Sequence, residues 1–197
     1  MTSGRFASKV SLLVEGYPRY GFDALSMLQD SGWEVLCITR LHPEYVIQKY
    51  GLEGATCWWL TSRKGASSIS PRSPGRIVKV IRSALKDRSN TIVFLDGLEY
   101  MLMWNDMGKV MSTLREIEAL LHETGCEMLV CIDPLALEQR DLERLYDSFS
   151  GYSANEVVEI MSSLSNTPPQ KISLGMPGIS RQTISDLLKP AELHLTP

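Results

Sequence analysis

The segments Ser11-Leu-Leu-Val-Glu-Gly16-Tyr-Pro-Arg-Tyr-Gly21-Phe22-Asp23 and Thr91-Ile-Val-Phe-Leu95-Asp96-Gly97 decide the fold. The first is an apolar run leading into two glycines with phosphate-loop spacing. In G-x-x-x-x-G-K-[ST] the lysine reaches the terminal phosphates and the hydroxyl holds magnesium. Phe22 and Asp23 stand in those two places. The second segment is an apolar strand ending in an acid, the form of the metal-binding partner motif of nucleotide hydrolases. The frame is kept while the groups that perform catalysis are missing.

Outward from these segments, apolar runs alternate with amphipathic stretches, the signature of α/β layering. Strands are expected at Val10–Val14, Glu34–Ile38, Thr56–Leu60, Thr91–Leu95 and Glu127–Ile132. Several are apolar throughout, as strands covered on both faces must be. Helices are expected at Gly21–Gln29, Pro43–Tyr50, Pro74–Lys86 and Met107–Thr124, then at Glu138–Phe149 and Ala154–Leu164. Pro43 suits a first helical turn, and Gly51 and Gly125 suit C-terminal caps. The loop Thr61–Pro74, rich in Ser, Gly and basic residues, reads as mobile. Gly151 reads as a helix breaker. Residues 165–178 read as a linker, with a short helix at Arg181–Leu188 beyond it. Two units follow: an α/β domain over 1–150 and a C-terminal extension over 151–197.

Composition sets further bounds. The chain has 197 residues, 44% hydrophobic and 22% charged, with formal net charge −3. This is an ordinary globular balance with no global field favouring nucleic acid or acidic membrane. No apolar run reaches the roughly 20 residues of a membrane helix, and the polar start, Met1–Lys9, is not a signal peptide. A cytoplasmic protein without membrane contact is expected. Cys37, Cys57, Cys126 and Cys131 lie in or beside strand-like runs without C-x-x-C spacing and read as buried free thiols. His42, His122 and His194 show no ligand spacing with them, so no metal site is expected.

The stretches Cys37-Ile-Thr39-Arg40 with Pro43 beyond, Trp58-Trp59-Leu60-Thr61, Ile69-Ser70-Pro71, Leu95-Asp96-Gly97-Leu98-Glu99-Tyr100 and Ile132-Asp133-Pro134 occur in one order. In that order and approximate spacing the chain resembles the archaeal domain of unknown function 835 over about residues 9–150. That family looks like a shortened relative of the RecA/KaiC-type ATPase core. The resemblance implies an archaeal source and a three-layer α/β fold: a mostly parallel RecA-like sheet with helices on both faces, plus a C-terminal helical extension. It supplies no catalytic residues and implies no cofactor.

Three groups of residues could carry chemistry. Gly16 and Gly21 would permit a phosphate-loop curve, with Arg19 as substitute cation, but Pro18 removes a donor and Asp23 adds negative charge. The structural alternative is a plain strand-turn-helix connection with Asp23 as a first-turn acid. Asp96, Glu99 and Asp133 follow strand ends, where open α/β sheets place ligands, and three such carboxylates could hold Mg²⁺. Their structural alternative is a turn cap at Asp96, a Glu99–Arg40 pair and an Asx turn at Asp133. Thr39 and Arg40 end a strand on the same rim, where Arg40 could bind an anion or pair with Asp96 or Glu99. Of Trp58 and Trp59, on opposite strand faces, one is expected in the core and the other at a helix-packing or partner surface.

The tail pulls in another direction. Ser180, Arg181 and Gln182 open a segment like a recognition helix, with Ser180 as cap and the other two reaching base edges. Gly175, Met176 and Pro177 disturb the preceding helix, and basic residues are few. The leading expectation is a non-catalytic regulatory or scaffold module with an ATPase-like fold that binds a protein partner or itself. The alternatives are a DNA-binding regulator using the tail and an atypical nucleotide enzyme using Arg19, Asp96, Glu99 and Asp133.

Overall fold

In a computed structural model of the chain, residues 6–164 are described except 87 and 89. The strands are β1 Val10–Val14, β2 Glu34–Thr39, β3 Thr56–Leu60, β4 Ser68–Ile69, β5 Thr91–Asp96, β6 Glu127–Ile132 and β7 Ser150–Ser153. The helices are α1 Arg19–Asp30, α2 Pro43–Tyr50, α3 Pro74–Ala84, α4 Leu98–Leu102, α5 Met107–Thr124, α6 Gln139–Ser148 and α7 Ala154–Leu164. The strands form one seven-stranded sheet, ordered β4-β3-β2-β5-β6-β1-β7. Every pairing is parallel.

The five expected strands are present; the runs of the central ones bury on both faces, with all residues of β5 and β6 buried, while β3, towards the sheet edge, buries only Leu60 fully. Helices cover both sides, giving a three-layer α/β fold. One core joins the sheet to α3, α4, α5 and α6 through residues such as Ile77, Ile81, Leu98, Ile117 and Leu145. The other joins it to α1, α2 and α7 through Phe22, Leu25, Val46 and Val157. Local signals mark the long helix α5: the Asp106 carboxylate accepts from the Lys109 N–H at 2.9 Å, and Gly125 closes the helix at φ +75°. Such a cap contributes about 1 kcal/mol.

Two strands are absent from the periodicity reading. The loop Thr61–Pro74, expected to be mobile, contains β4, paired to β3 at Trp59↔Ser68 and Leu60↔Ile69. Gly151, read as a breaker, lies in β7, which pairs with β1 along its four residues. Both strands are short and polar, so alternation has too few positions to show. The sheet thus continues past residue 150, and Val157 of α7 is in its core. The linker over 165–178 and the helix Arg181–Leu188 lie outside the described residues.

Candidate functional site

The chain runs from β2 outward to β3 and β4, then returns to β5 on the other side of β2 and proceeds to β6. This reversal makes the crevice at the C-terminal ends of β2 and β5 the topological switch point, where open α/β sheets take ligands. Thr39 and Arg40 stand on one side of it and Asp96 on the other. The crevice is closed by the chain's own groups. Thr39 Oγ1 donates to Asp96 Oδ2 at 2.8 Å, and Arg40 Nε lies 3.0 Å from Asp96 Oδ1. That second contact is an ion pair off the line of a hydrogen bond, since Oδ1 has no aligned donor. Trp59 Nε1 donates to the Arg40 carbonyl at 3.1 Å and anchors the same corner. Asp96 is 1% exposed. Burial raises its pKa above the ordinary carboxylate value, outweighing the opposing pull of Arg40 and Thr39.

β6 separates β1 from β5, so the loop after β1 and the acid after β5 flank its end. The loop after β1 does not form a phosphate cradle. Helix α1 begins at Arg19, which puts Gly21 inside the helix rather than in the loop. A Cβ at Gly21 would lie 2.8 Å from Leu13 Cδ2 and 2.8 Å from Phe94 Cζ. The residue is glycine because α1 must approach β1 and β5 closely. The anion position at the helix start is already filled. The Glu15 carboxylate accepts from the Tyr20 N–H at 2.7 Å and the Gly21 N–H at 2.9 Å. These are the free N–H groups that bind phosphate in a nucleotide site. Burial raises the pKa of Glu15, while these backbone donors pull it down.

The remaining acids of the rim are engaged as well. Glu99 Oε1 accepts the Asp133 N–H at 2.7 Å. Asp133 Oδ1 accepts the Leu135 N–H at 3.0 Å, the Asx turn expected before Pro134. Gly16 passes close to Asp133, whose carboxyl would lie 3.4 Å from a Cβ at that position. Burial raises the Glu99 pKa. Cys131, at the end of β6, is pushed well up by burial and then by the negative charge of Asp96, Glu15 and Glu99. Three carboxylates therefore surround one strand end. Among the described residues, no three His, Cys, Asp or Glu side chains form a group able to hold a metal ion. The Mg²⁺ arrangement of Asp96, Glu99 and Asp133 is not formed, because each acid is oriented by a donor of the protein.

Of the sequence-derived candidates, the fold brings together Gly16, Thr39, Arg40, Asp96, Glu99 and Asp133. It leaves out Arg19, which is exposed, with its guanidinium over the Tyr20 ring at 5.6 Å and its charge acting on Asp23. Asp23 is not a first-turn acid, since the helix starts four positions earlier. Of the two pairings open to Arg40, the one with Asp96 forms, and Glu99 accepts the Asp133 N–H. Ser180, Arg181 and Gln182 lie outside the described residues. Glu15 is the residue that sequence reading missed. Its signal was an acid directly between a buried strand and the first glycine, facing a helix start.

Residues 18–149 match the family Protein of unknown function (DUF835). The chain belongs to that family. The DUF835 match covers β2 to β6 and so includes the switch point with Thr39, Arg40, Asp96, Glu99 and Asp133. No curated protein matches the chain. Among the described residues no helix is long and apolar enough to cross a membrane.

Proposed function

We propose that this DUF835 protein is a non-catalytic regulatory or scaffold module that uses an ATPase-like frame to bind a protein partner. The observation that carries the reading is Glu15. Its carboxylate occupies the helix start where a triphosphate would need bare N–H groups, and no lysine or hydroxyl follows Gly21 to hold phosphate and magnesium. A nucleotide would have to displace a covalently tethered anion and repel the Asp96, Glu99 and Glu15 charges gathered at the end of β6. Relationship to the RecA/KaiC-type core and an archaeal source belong to the same proposal. The single strand inserted between β1 and β5 supports that relationship, because it brings a loop and an acid to one crevice.

Partner contact is supported by what the rim exposes. Leu135, in the turn after Asp133, is 90% exposed, and Tyr17, in the loop after β1, is 47% exposed. Large apolar groups raised on loops above a rigid sheet suit a protein interface better than a solvated loop. Isothermal titration of the full chain with ATP, ADP and GTP plus Mg²⁺ tests the proposal. No saturable heat is expected. Micromolar binding together with turnover abolished in Asp96→Asn would overturn it.

A further inference from the structure

Far from that rim, the chain reverses its overall charge. Residues 63–88 contain eight Lys or Arg and one acid, within a protein of net charge −3. The fold arranges part of this stretch along one groove. An open cavity of about 770 Å³ lies between the start of β3 and the outer face of α3, bordered by Trp58, Arg76, Lys79, Ser83 and Arg88. Among the described residues no acidic side chain lines it. Arg88 is paired with Glu34 at 2.6 Å. Arg76 and Lys79 are exposed and have no acidic partner among the described residues. Lys79 also borders a smaller neighbouring hollow with Arg82 and Lys86; Arg82 is paired with Glu116 at 3.4 Å, so Lys86 is the cation that continues the positive surface beyond α3.

We infer that this groove binds single-stranded nucleic acid. The positions 76, 79 and 82 recur at helical spacing along α3 and extend over about 9 Å at 1.5 Å per residue, and Lys86 follows just past the end of the helix. That row, prolonged by Lys86, matches two or three successive phosphates and exceeds what a lone phosphate ion would need. Half-buried Trp58 packs against the core on the α3 side of the sheet and lines the groove with the cations. An indole beside a phosphate-binding row supplies a stacking surface for a base, the combination used by non-sequence-specific single-strand binders. An acidic peptide would use the cations and leave the indole idle, and this decides between the two polyanions. The site is independent of the proposed pseudo-nucleotide rim and stands or falls separately.

Fluorescence anisotropy of the full chain with labelled oligo-dT and oligo-rU tests it, with polyglutamate as competitor. Saturable binding is expected at low salt. With about three neutralised phosphates, affinity should fall by roughly tenfold or more between 50 and 200 mM salt. Arg76→Glu/Lys79→Glu, at two exposed positions, should keep the native circular dichroism spectrum and lose at least tenfold in affinity. Trp58→Phe should weaken binding severalfold and remove most of the quenching of tryptophan emission. Absence of binding at low salt, binding that survives the double reversal, or equal competition by polyglutamate would each overturn the assignment.

Discussion

Replacing Glu15 with alanine tests the reading of the helix start. In the native protein the carboxylate accepts two N–H bonds of 2.7 and 2.9 Å from Tyr20 and Gly21. Bonds to a charged acceptor are worth about 1.5–3 kcal/mol each when buried. Here they act at a helix start beside the exposed Gly16, Tyr17 and Arg19, where water can replace part of the loss, and N-cap losses run about 0.5–2 kcal/mol. Removal also relieves the burial cost that raises the Glu15 pKa. The balance is a loss of about 2 kcal/mol. At about 2–4 °C per kcal/mol for a chain of this size, the melting temperature should fall by roughly 4–8 °C. Thermal melts followed by circular dichroism read this directly. The same melts in phosphate carry the sharper test. The vacated N–H groups form an anion site, and binding only to the folded state stabilises by RT ln(1 + [L]/Kd). Phosphate should therefore restore several degrees to Glu15→Ala and add almost nothing to the native protein. An unchanged melting temperature, or the same phosphate response in both proteins, would refute the argument that Glu15 occupies the anion position.

Further outcomes follow from the same geometry. Arg40→Ala should be more destabilising than Asp96→Asn, by about 2 kcal/mol in urea titration, because it strands a carboxylate that is 1% exposed without its cation; the double variant should recover part of the loss. Acidification should stabilise the fold. Glu15, Asp23, Asp96 and Glu99 all have pKa values raised by burial above 4.5, 3.8, 3.8 and 4.5. The native state therefore holds more protons than the unfolded chain just above those values, and stability falls as pH rises through that window. Melting temperatures should be higher near pH 5 than at pH 7, and the difference should shrink in Asp96→Asn.

Particular residues show how much of this was legible in the sequence. The apolar runs at Thr91–Leu95 and Glu127–Ile132 announce buried parallel strands, because such strands admit no polar face. Gly125 and the Asp133-Pro134 turn announce their own local geometry. The missing lysine and hydroxyl after Gly21 are a matter of residue identity alone. These features depend on neighbours in the chain, so the sequence by itself determined the layered fold, its central strands and the absence of a lysine and hydroxyl after Gly21. Other features depend on groups distant in the chain. Asp96 meets Thr39 and Arg40 across 57 and 56 residues only because β2 and β5 are adjacent in the sheet. Gly21 is explained by Phe94, and the basic groove by the packing of α3 beside β3. Whether an acid binds a metal, caps a helix or neutralises an arginine is settled by which donors converge on it, and strand order, which no local pattern encodes, sets that convergence.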